Sequence, residues 1–193
     1  TAALVQDISA ALIHNGAHQC LTFPMVAPND CKRLELTAPV QISNPLSVDA
    51  SVMRPSILPS LLKVAHHNTN RQQHSFTLFE IGTVFPAADT EYQQLGILLT
   101  GTPLENPYTT DDNKKQQGFF ELKGLIEQLV NTLNIAELQF NKSDISYLHP
   151  IEQQSIQLGD ETAGYLGQLH PIVLDDIGIK VPLFYAELTV TKS

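Results

Sequence analysis

The stretch from Ile42 to Phe85 constrains the fold more than any other part of the chain. Two proline-punctuated turns, Asn44-Pro45-Leu46-Ser47 and Met53-Arg54-Pro55-Ser56, lead into an amphipathic helix. Ile57, Leu58, Leu61, Leu62, Val64 and Ala65 recur at helical period and form a wide apolar stripe. Ser56 reads as the N-cap. Pro59 is tolerated only in the first turn, where its missing N–H would be unpaired in any case. The helix therefore starts between Ser56 and Pro59 and runs to about Asn70. After it, Phe76 to Phe85 is an apolar, aromatic-rich strand interrupted by Glu80 and Gly82.

The remaining elements follow from the same rules. Ala2 to Asn15 reads as a helix with Leu4, Val5, Ile8, Ala11 and Leu12 on one face and Gly16 as its C-terminal cap. Gln19 to Phe23 is a short strand, Ala27 to Leu36 is irregular, and Pro39 to Ser43 is a strand. Tyr92 to Thr100 pairs with the strand ending at Phe85 as an antiparallel hairpin, buried on both faces in the middle of a sheet. Thr102 to Gln117 is polar, with Pro103, Pro107 and adjacent like charges, and is expected to be a mobile surface loop. Gly118 to Leu133 is a second strong helix. Glu137–Phe140, Gln153–Leu158, Tyr165–Leu169 and Leu183–Val190 are strands, and Pro171 opens a short helix through Ile177. The expected architecture is a single α+β unit over residues 1–193, an antiparallel sheet of about seven strands flanked by helices.

The charge balance narrows the function. A net charge of −9, eleven basic residues and no basic run longer than Lys32-Arg33 or Lys114-Lys115 disfavour strong nucleic-acid binding, which needs clustered Lys and Arg. No stretch reaches the ~18 apolar residues of a membrane span. The first residues contain Asp7 and no basic leader, so they do not read as a signal peptide. The chain opens in a helix without Met, as an excised fragment of a longer protein would. Cys20 and Cys31 form no CxxC pair, and reduced thiols are favoured over a disulfide or metal pair. The histidines offer no metal spacing: His66 and His67 are adjacent, and His149 and His170 each precede a proline. GxSxG, GxGxxG and P-loop patterns are absent.

Six motifs in order carry a resemblance: Asn44-Pro45-Leu46-Ser47, Ser51-Val52-Met53-Arg54-Pro55-Ser56, Leu78-Phe79-Glu80-Ile81-Gly82, Gly118-Phe119-Phe120-Glu121-Leu122-Lys123-Gly124, Tyr147-Leu148-His149-Pro150 and Gly164-Tyr165-Leu166-Gly167-Gln168-Leu169-His170-Pro171. Together they cover nearly the whole chain. It resembles the β subunit of bacterial phenylalanyl-tRNA synthetase, in its class-II-synthetase-like core module. The resemblance implies a class II synthetase-like fold and a cytoplasmic (αβ)2 ligase that joins phenylalanine to tRNA(Phe) with ATP and Mg2+. It places catalysis in the α subunit, which becomes this chain's expected partner. Contact with tRNA is expected through the assembled enzyme and weakly or not at all through this piece. No cofactor of its own and no membrane partner are expected.

The same resemblance says what is missing. A class II site uses one Arg on the motif-2 strand pair and another in motif 3 to neutralise ATP phosphates, because the planar guanidinium contacts phosphate oxygens bidentately. In the catalytic subunit a segment similar to Ile81-Gly82-Thr83-Val84-Phe85 is followed by Arg. Here Pro86 follows, and Arg33, Arg54 and Arg71 are the only arginines. No catalytic residue is therefore assigned, nor any metal ligand. The motif-1 type of segment builds subunit interfaces in this family, which makes Arg54, Ile57, Leu58, Leu61, Leu62, Ala65, Asn68, Asn70 and Arg71 the interface candidates. Leu61 or Leu62 is expected to face outward. Arg54 is read as a structural clamp rather than a phosphate ligand. Glu80 is read as a buried structural charge held by Arg54, Arg71 or backbone donors, since a buried carboxylate needs a partner. The rival reading is a free-standing small-molecule enzyme on the same fold, using His149, His170 and Glu80.

Overall fold

In a computed structural model of the chain, residues 2–36, 40–100, 111–135 and 137–192 are described. The elements in chain order are α1 (Ala2–His14), β1 (His18–Gln19), β2 (Met25–Val26), α2 (Pro28–Arg33), a 3-10 turn (Val48–Ala50), β3 (Val52–Met53) and α3 (Leu58–Thr69). They continue with β4 (Phe76–Ala87), β5 (Thr90–Thr100), α4 (Asp111–Thr132), β6 (Leu138–Lys142), β7 (Leu148–Leu158), β8 (Glu161–Leu169), α5 (Pro171–Ile177) and β9 (Leu183–Lys192).

Seven strands form one sheet in the order β1-β4-β5-β9-β8-β7-β6. The β4–β5 hairpin runs from Phe76 opposite Thr100 to Ala87 opposite Thr90, and β9 lies along the far side of β5. Every pairing is antiparallel except β1 with β4, so the sheet is mixed rather than purely antiparallel. A parallel edge needs a crossover connection, and the α2–α3 region supplies it between β1 and β4. β2 and β3 form a separate two-stranded ribbon.

Strand alternation sends side chains to two cores. On one face Phe79, Leu95, Ile97, Phe184 and Ala186 meet Ile8 and Leu12 of α1 and Leu122 and Ile126 of α4. On the other, Leu78, Val84, Leu98, Leu183 and Tyr185 meet α3 and α5. Both faces of the sheet are therefore covered, as the long apolar runs of β4 and β5 require.

Several expectations need correction. Ala27–Leu36 contains the helix α2: Pro28 stands in its first turn, Asp30 near its N-terminus and Lys32 and Arg33 near its C-terminus, all favourable helix positions. The strand expected over Gln19–Phe23 ends at Gln19, because the chain leaves the sheet edge once Cys20 N–H has donated to Phe79 O (2.7 Å). Of the strand expected over Pro39–Ser43, Pro39 lies outside the described residues and the rest forms a single bridge, Gln41 with Val52. Of the loop expected over Thr102–Gln117, residues 102–110 lie outside the described residues. Asp111–Gln117 is the opening of α4 rather than loop. Acidic residues suit a helix start, so this charge-rich run carries a helix signal as well as a loop signal. Pro171–Ile177 is a helix with the expected bounds.

Candidate functional site

Nine consecutive residues, Arg54 to Leu62, are buried, although they include one charge and two serines. This segment crosses the face of the sheet that carries the even-numbered residues of β4 and β5, and it builds two polar clusters there. Arg54 organises the first. Its Nη1 lies 2.8 Å from Glu80 Oε1, with the two side chains 3% and 2% exposed. The guanidinium also donates to Thr22 Oγ1 (2.8 Å), Ser60 Oγ (3.3 Å) and the Thr83 carbonyl (3.1 Å). Thr22 Oγ1 in turn donates to Glu80 Oε2 at 2.7 Å. Arg54 N–H donates to Pro24 O and its carbonyl accepts from Phe85 N–H, both at 2.8 Å, which fixes the backbone as well. Gly82 gives the guanidinium its room, since a Cβ there would overlap Nη2.

The second cluster starts α3. Ile57 N–H donates to Gln94 Oε1 (2.8 Å), and Leu58 N–H donates to Ser56 Oγ (3.2 Å). Ile57 is the N-cap residue by backbone position, while Ser56, expected to be the cap, supplies the side-chain oxygen from one residue earlier. The Ser56 hydroxyl lies 3.0 Å from Glu187 Oε2, and Tyr185 Oη donates to the same oxygen at 3.1 Å. The buried Tyr147 stands close enough to influence Glu187 as well. Ile57 then seats over Gly96, where a Cβ would come within 2.7 Å of Ile57 Cγ2.

The two carboxylates differ in kind. Glu80 faces a cation, whereas Glu187 accepts from the Ser56 and Tyr185 hydroxyls. Burial pushes the Glu187 carboxyl above the usual value of 4.5, against Ser56, Tyr185 and the nearby Tyr147, which pull it down. A carboxyl raised in the folded state contributes stability that is full below about 4.5 and is lost as pH rises through its folded value. Glu187→Gln mimics the protonated form. Its stability relative to the parent chain is therefore expected to rise between pH 4.5 and pH 7.5, read by urea unfolding at each pH. A relative stability that falls over that interval would contradict the assignment.

The nominated interface residues separate into two groups. Ile57, Leu58, Leu61 and Ala65 are fully buried and Leu62 is 4% exposed, all in the core of this unit. Neither Leu61 nor Leu62 faces outward, because α3 has protein on two sides: the sheet below, and α2 and α5 alongside, where Leu34, Val173 and Leu174 join its core. Asn68 is half-buried, and Asn70 and Arg71 are exposed at the C-terminal end. Asn70 Nδ2 lies 3.1 Å from a ring nitrogen of His66. Arg54, not Arg71, is the cation that meets Glu80.

The residues of the rival reading do not converge. The His149 and His170 rings lie 6.4 Å apart, and each Nδ1 accepts a backbone N–H two residues on, from Ile151 and Ile172. Glu80 sits on β4, three strands away from β8, or roughly 14 Å at the usual interstrand spacing. Among the described residues no three His, Cys, Asp or Glu side chains are grouped to hold a metal ion. Both cysteines are free, and burial pushes the Cys31 thiol up to about 11, with the nearby Asp30 charge adding to the effect.

Thr22, Ser60, Gln94, Tyr147, Tyr185 and Glu187 complete the clusters and were not singled out by sequence reasoning. Gln94 and Glu187 carried a signal, each a polar residue in an otherwise buried strand. Thr22 and Ser60 carried none.

The resemblance set out above matches the β4–β5 hairpin to the strand pair that holds the ATP-binding arginine in a class II site. Pro86 stands at its end, and no arginine occurs on either strand. Arg33 is engaged with Asp176 (2.6 Å) and Asp30, and Arg54 is buried. Of the three arginines only Arg71 is exposed, just past the C-terminal end of α3.

Comparison with known proteins agrees with this architecture. A pyrrolysyl-tRNA synthetase from Desulfitobacterium hafniense superposes with a TM-score of 0.74 over 97% of this chain and 65% of its own, at 17% identity. The fold is thus that of the class II aminoacyl-tRNA synthetases. The phenylalanine–tRNA ligase β subunit of Protochlamydia amoebophila is 30% identical over 193 residues, 96% of this chain and 24% of that protein. That of Listeria innocua is 40% identical over 168 residues, 82% of this chain and 20% of that protein. The chain spans about a quarter of the length of these relatives. Residues 1–190 match the family described as the phenylalanyl tRNA synthetase beta chain CLM domain. With that match over almost all of its length, the chain belongs to the CLM-domain family of phenylalanyl-tRNA synthetase β chains.

Proposed function

We propose that this chain is one non-catalytic module of a longer phenylalanyl-tRNA synthetase β subunit. Its work is to pack against the catalytic α subunit of a cytoplasmic (αβ)2 enzyme that ligates phenylalanine to tRNA(Phe) with ATP and Mg2+. The observation that carries this reading is where the cations stand: β4 and β5 hold no arginine, Arg54 is buried against Glu80, and Arg33 is held by Asp176. Arg54 and Glu80 act as a clamp in this reading. They hold the segment that precedes α3 in one position.

Of the residues nominated for the interface, Asn68, Asn70 and Arg71 keep surface for a partner. Ile57, Leu58, Leu61, Leu62 and Ala65 position the helix from inside. The net charge of −9 supports weak or no direct tRNA contact by this piece. No helix among the described residues is long and apolar enough to cross a membrane. Co-expression with the catalytic subunit tests the reading: a complex with equal numbers of the two chains is expected by light scattering. Two folded proteins that stay separate at tens of micromolar would overturn it.

A further inference from the structure

Away from the two polar clusters, a cavity of about 270 Å3 lies where α2, α3 and α5 meet. Its floor is apolar: Leu34, Leu62 and Val173 are buried there, and Ile177 is half-buried. Its rim is charged, with Lys63, Asp30, Arg33 and Asp176 standing around the opening. We propose that this cavity binds a free α-amino acid with an apolar side chain, Asp30 taking the ammonium group and Arg33 the carboxylate. The inference goes beyond the assembly proposed above and does not depend on it.

The rim is charged on both signs and incompletely satisfied. Asp30 stands between two cations without a hydrogen bond to either. Arg33 Nη1 is 3.7 Å from Oδ1, beyond hydrogen-bond range, and Lys63 Nζ, 2.9 Å from Oδ2, lies outside hydrogen-bonding geometry. Oδ2 is buried and has no hydrogen bond among the described residues, a state that a well-aimed donor relieves. Arg33 is held at the rim by Asp176, with Nε 2.6 Å from Oδ2, and its side chain is 33% exposed. A guanidinium so placed takes a carboxylate bidentately. His66, 3.1 Å from Asn70 Nδ2, completes the rim. Two acids facing two bases favour neither a simple anion nor a simple cation; they favour a zwitterion. The volume equals that of roughly nine waters in the liquid, so the ligand has on the order of ten non-hydrogen atoms.

Little has to move for the ligand to enter. Leu34, Leu62 and Val173 belong to the core that fixes α3, so the floor is preformed. The Lys63 side chain is 50% exposed, and its ammonium passes from Asp30 to solvent as the ligand's ammonium takes its place. That exchange keeps the charge beside Asp30 unchanged. The net gain is burial of the ligand's apolar side chain on the floor, together with the carboxylate contact to Arg33.

The test is equilibrium dialysis of the full-length β subunit against radiolabelled L-leucine, chosen because it is not the amino acid of the ligase reaction. Saturable binding is expected. Isocaproate lacks the ammonium and isopentylamine lacks the carboxylate, so each should compete about tenfold or more weakly than leucine, the scale of one hydrogen bond to a charged group. Asp30→Asn should weaken leucine binding by a similar factor, and Ile177→Phe, which fills the floor, should abolish it. Thermal unfolding of each variant is measured alongside. If Ile177→Phe does not fold, Asp30→Asn decides the location, because it keeps the shape of a side chain at the rim. No binding at roughly 10 mM leucine, well above the usual range for small substrates, overturns the proposal. Binding that both analogues match overturns it too, by removing the zwitterion from recognition. Leucine binding that a folded Asp30→Asn leaves unchanged lies elsewhere in the subunit and overturns this site.

Discussion

Arg54→Ala is expected to destabilise the chain by about 3–5 kcal/mol, the cost of leaving a buried charge without its partner. A domain's whole stability is about 5–15 kcal/mol, so a large fraction of the molecules should be unfolded or close to it. Three losses add. Glu80 loses the guanidinium and keeps the Thr22 N–H and hydroxyl donors. The Thr83 carbonyl and Ser60 hydroxyl lose a charged donor. The guanidinium's place over Gly82 becomes a void that glycine cannot fill. The pair Arg54→Met with Glu80→Gln should recover much of the loss, because removing both charges lifts the desolvation penalty on each. Urea unfolding of the two single variants and the double variant measures the coupling. A single-variant cost under about 1 kcal/mol would show that Arg54 is not the clamp, since that is what an exposed pair contributes.

How far the chain could be read in advance follows from where each signal lives. The hairpin β4–β5, the helices α1, α3 and α4 and the strand β9 rest on long runs of periodic apolar residues, and these local patterns survive in the fold. The strand expected over Gln19–Phe23 fails beyond Gln19 because Leu21 and Phe23 are apolar without being internal. A strand pattern carries no information about whether a partner lies beside it, and Leu21 and Phe23 have left the sheet. α2 is short and lacks a stripe, so only its Pro28 start and charge placement mark it.

The polar clusters show a sharper limit. Glu80 is conspicuous in an apolar strand and Arg54 sits in a quoted motif, so a buried charge needing a partner could be read. The choice between Arg54 and Arg71 could not, because it depends on the path of 16 residues of helix and turn between them. Thr22 joins Glu80 across 58 positions of sequence. Leu61 and Leu62 illustrate the same point from the apolar side. A helix with one covered face leaves one of two adjacent leucines outside, whereas α3 is covered on two, and the second covering comes from α5, more than a hundred residues later.

Amino-acid-dependent pyrophosphate exchange by the purified chain tests the central claim most directly, namely that this class II fold has exchanged its chemistry for packing. Adenylate formation concentrates negative charge on the ATP phosphates, and preorganised cations are the main source of its stabilisation. Losing a single such group costs about 10²- to 10³-fold in rate, so a site lacking both arginines is expected to fall by on the order of 10⁴-fold or more. Here Pro86 follows Phe85 on β4, Arg33 is paired with Asp176, and Arg54 is held by Glu80. With ATP, phenylalanine and labelled pyrophosphate, the chain alone should give background counts, while the catalytic subunit mixed with the full β subunit should exchange. Exchange above background by the chain alone, saturable in phenylalanine, would contradict the account.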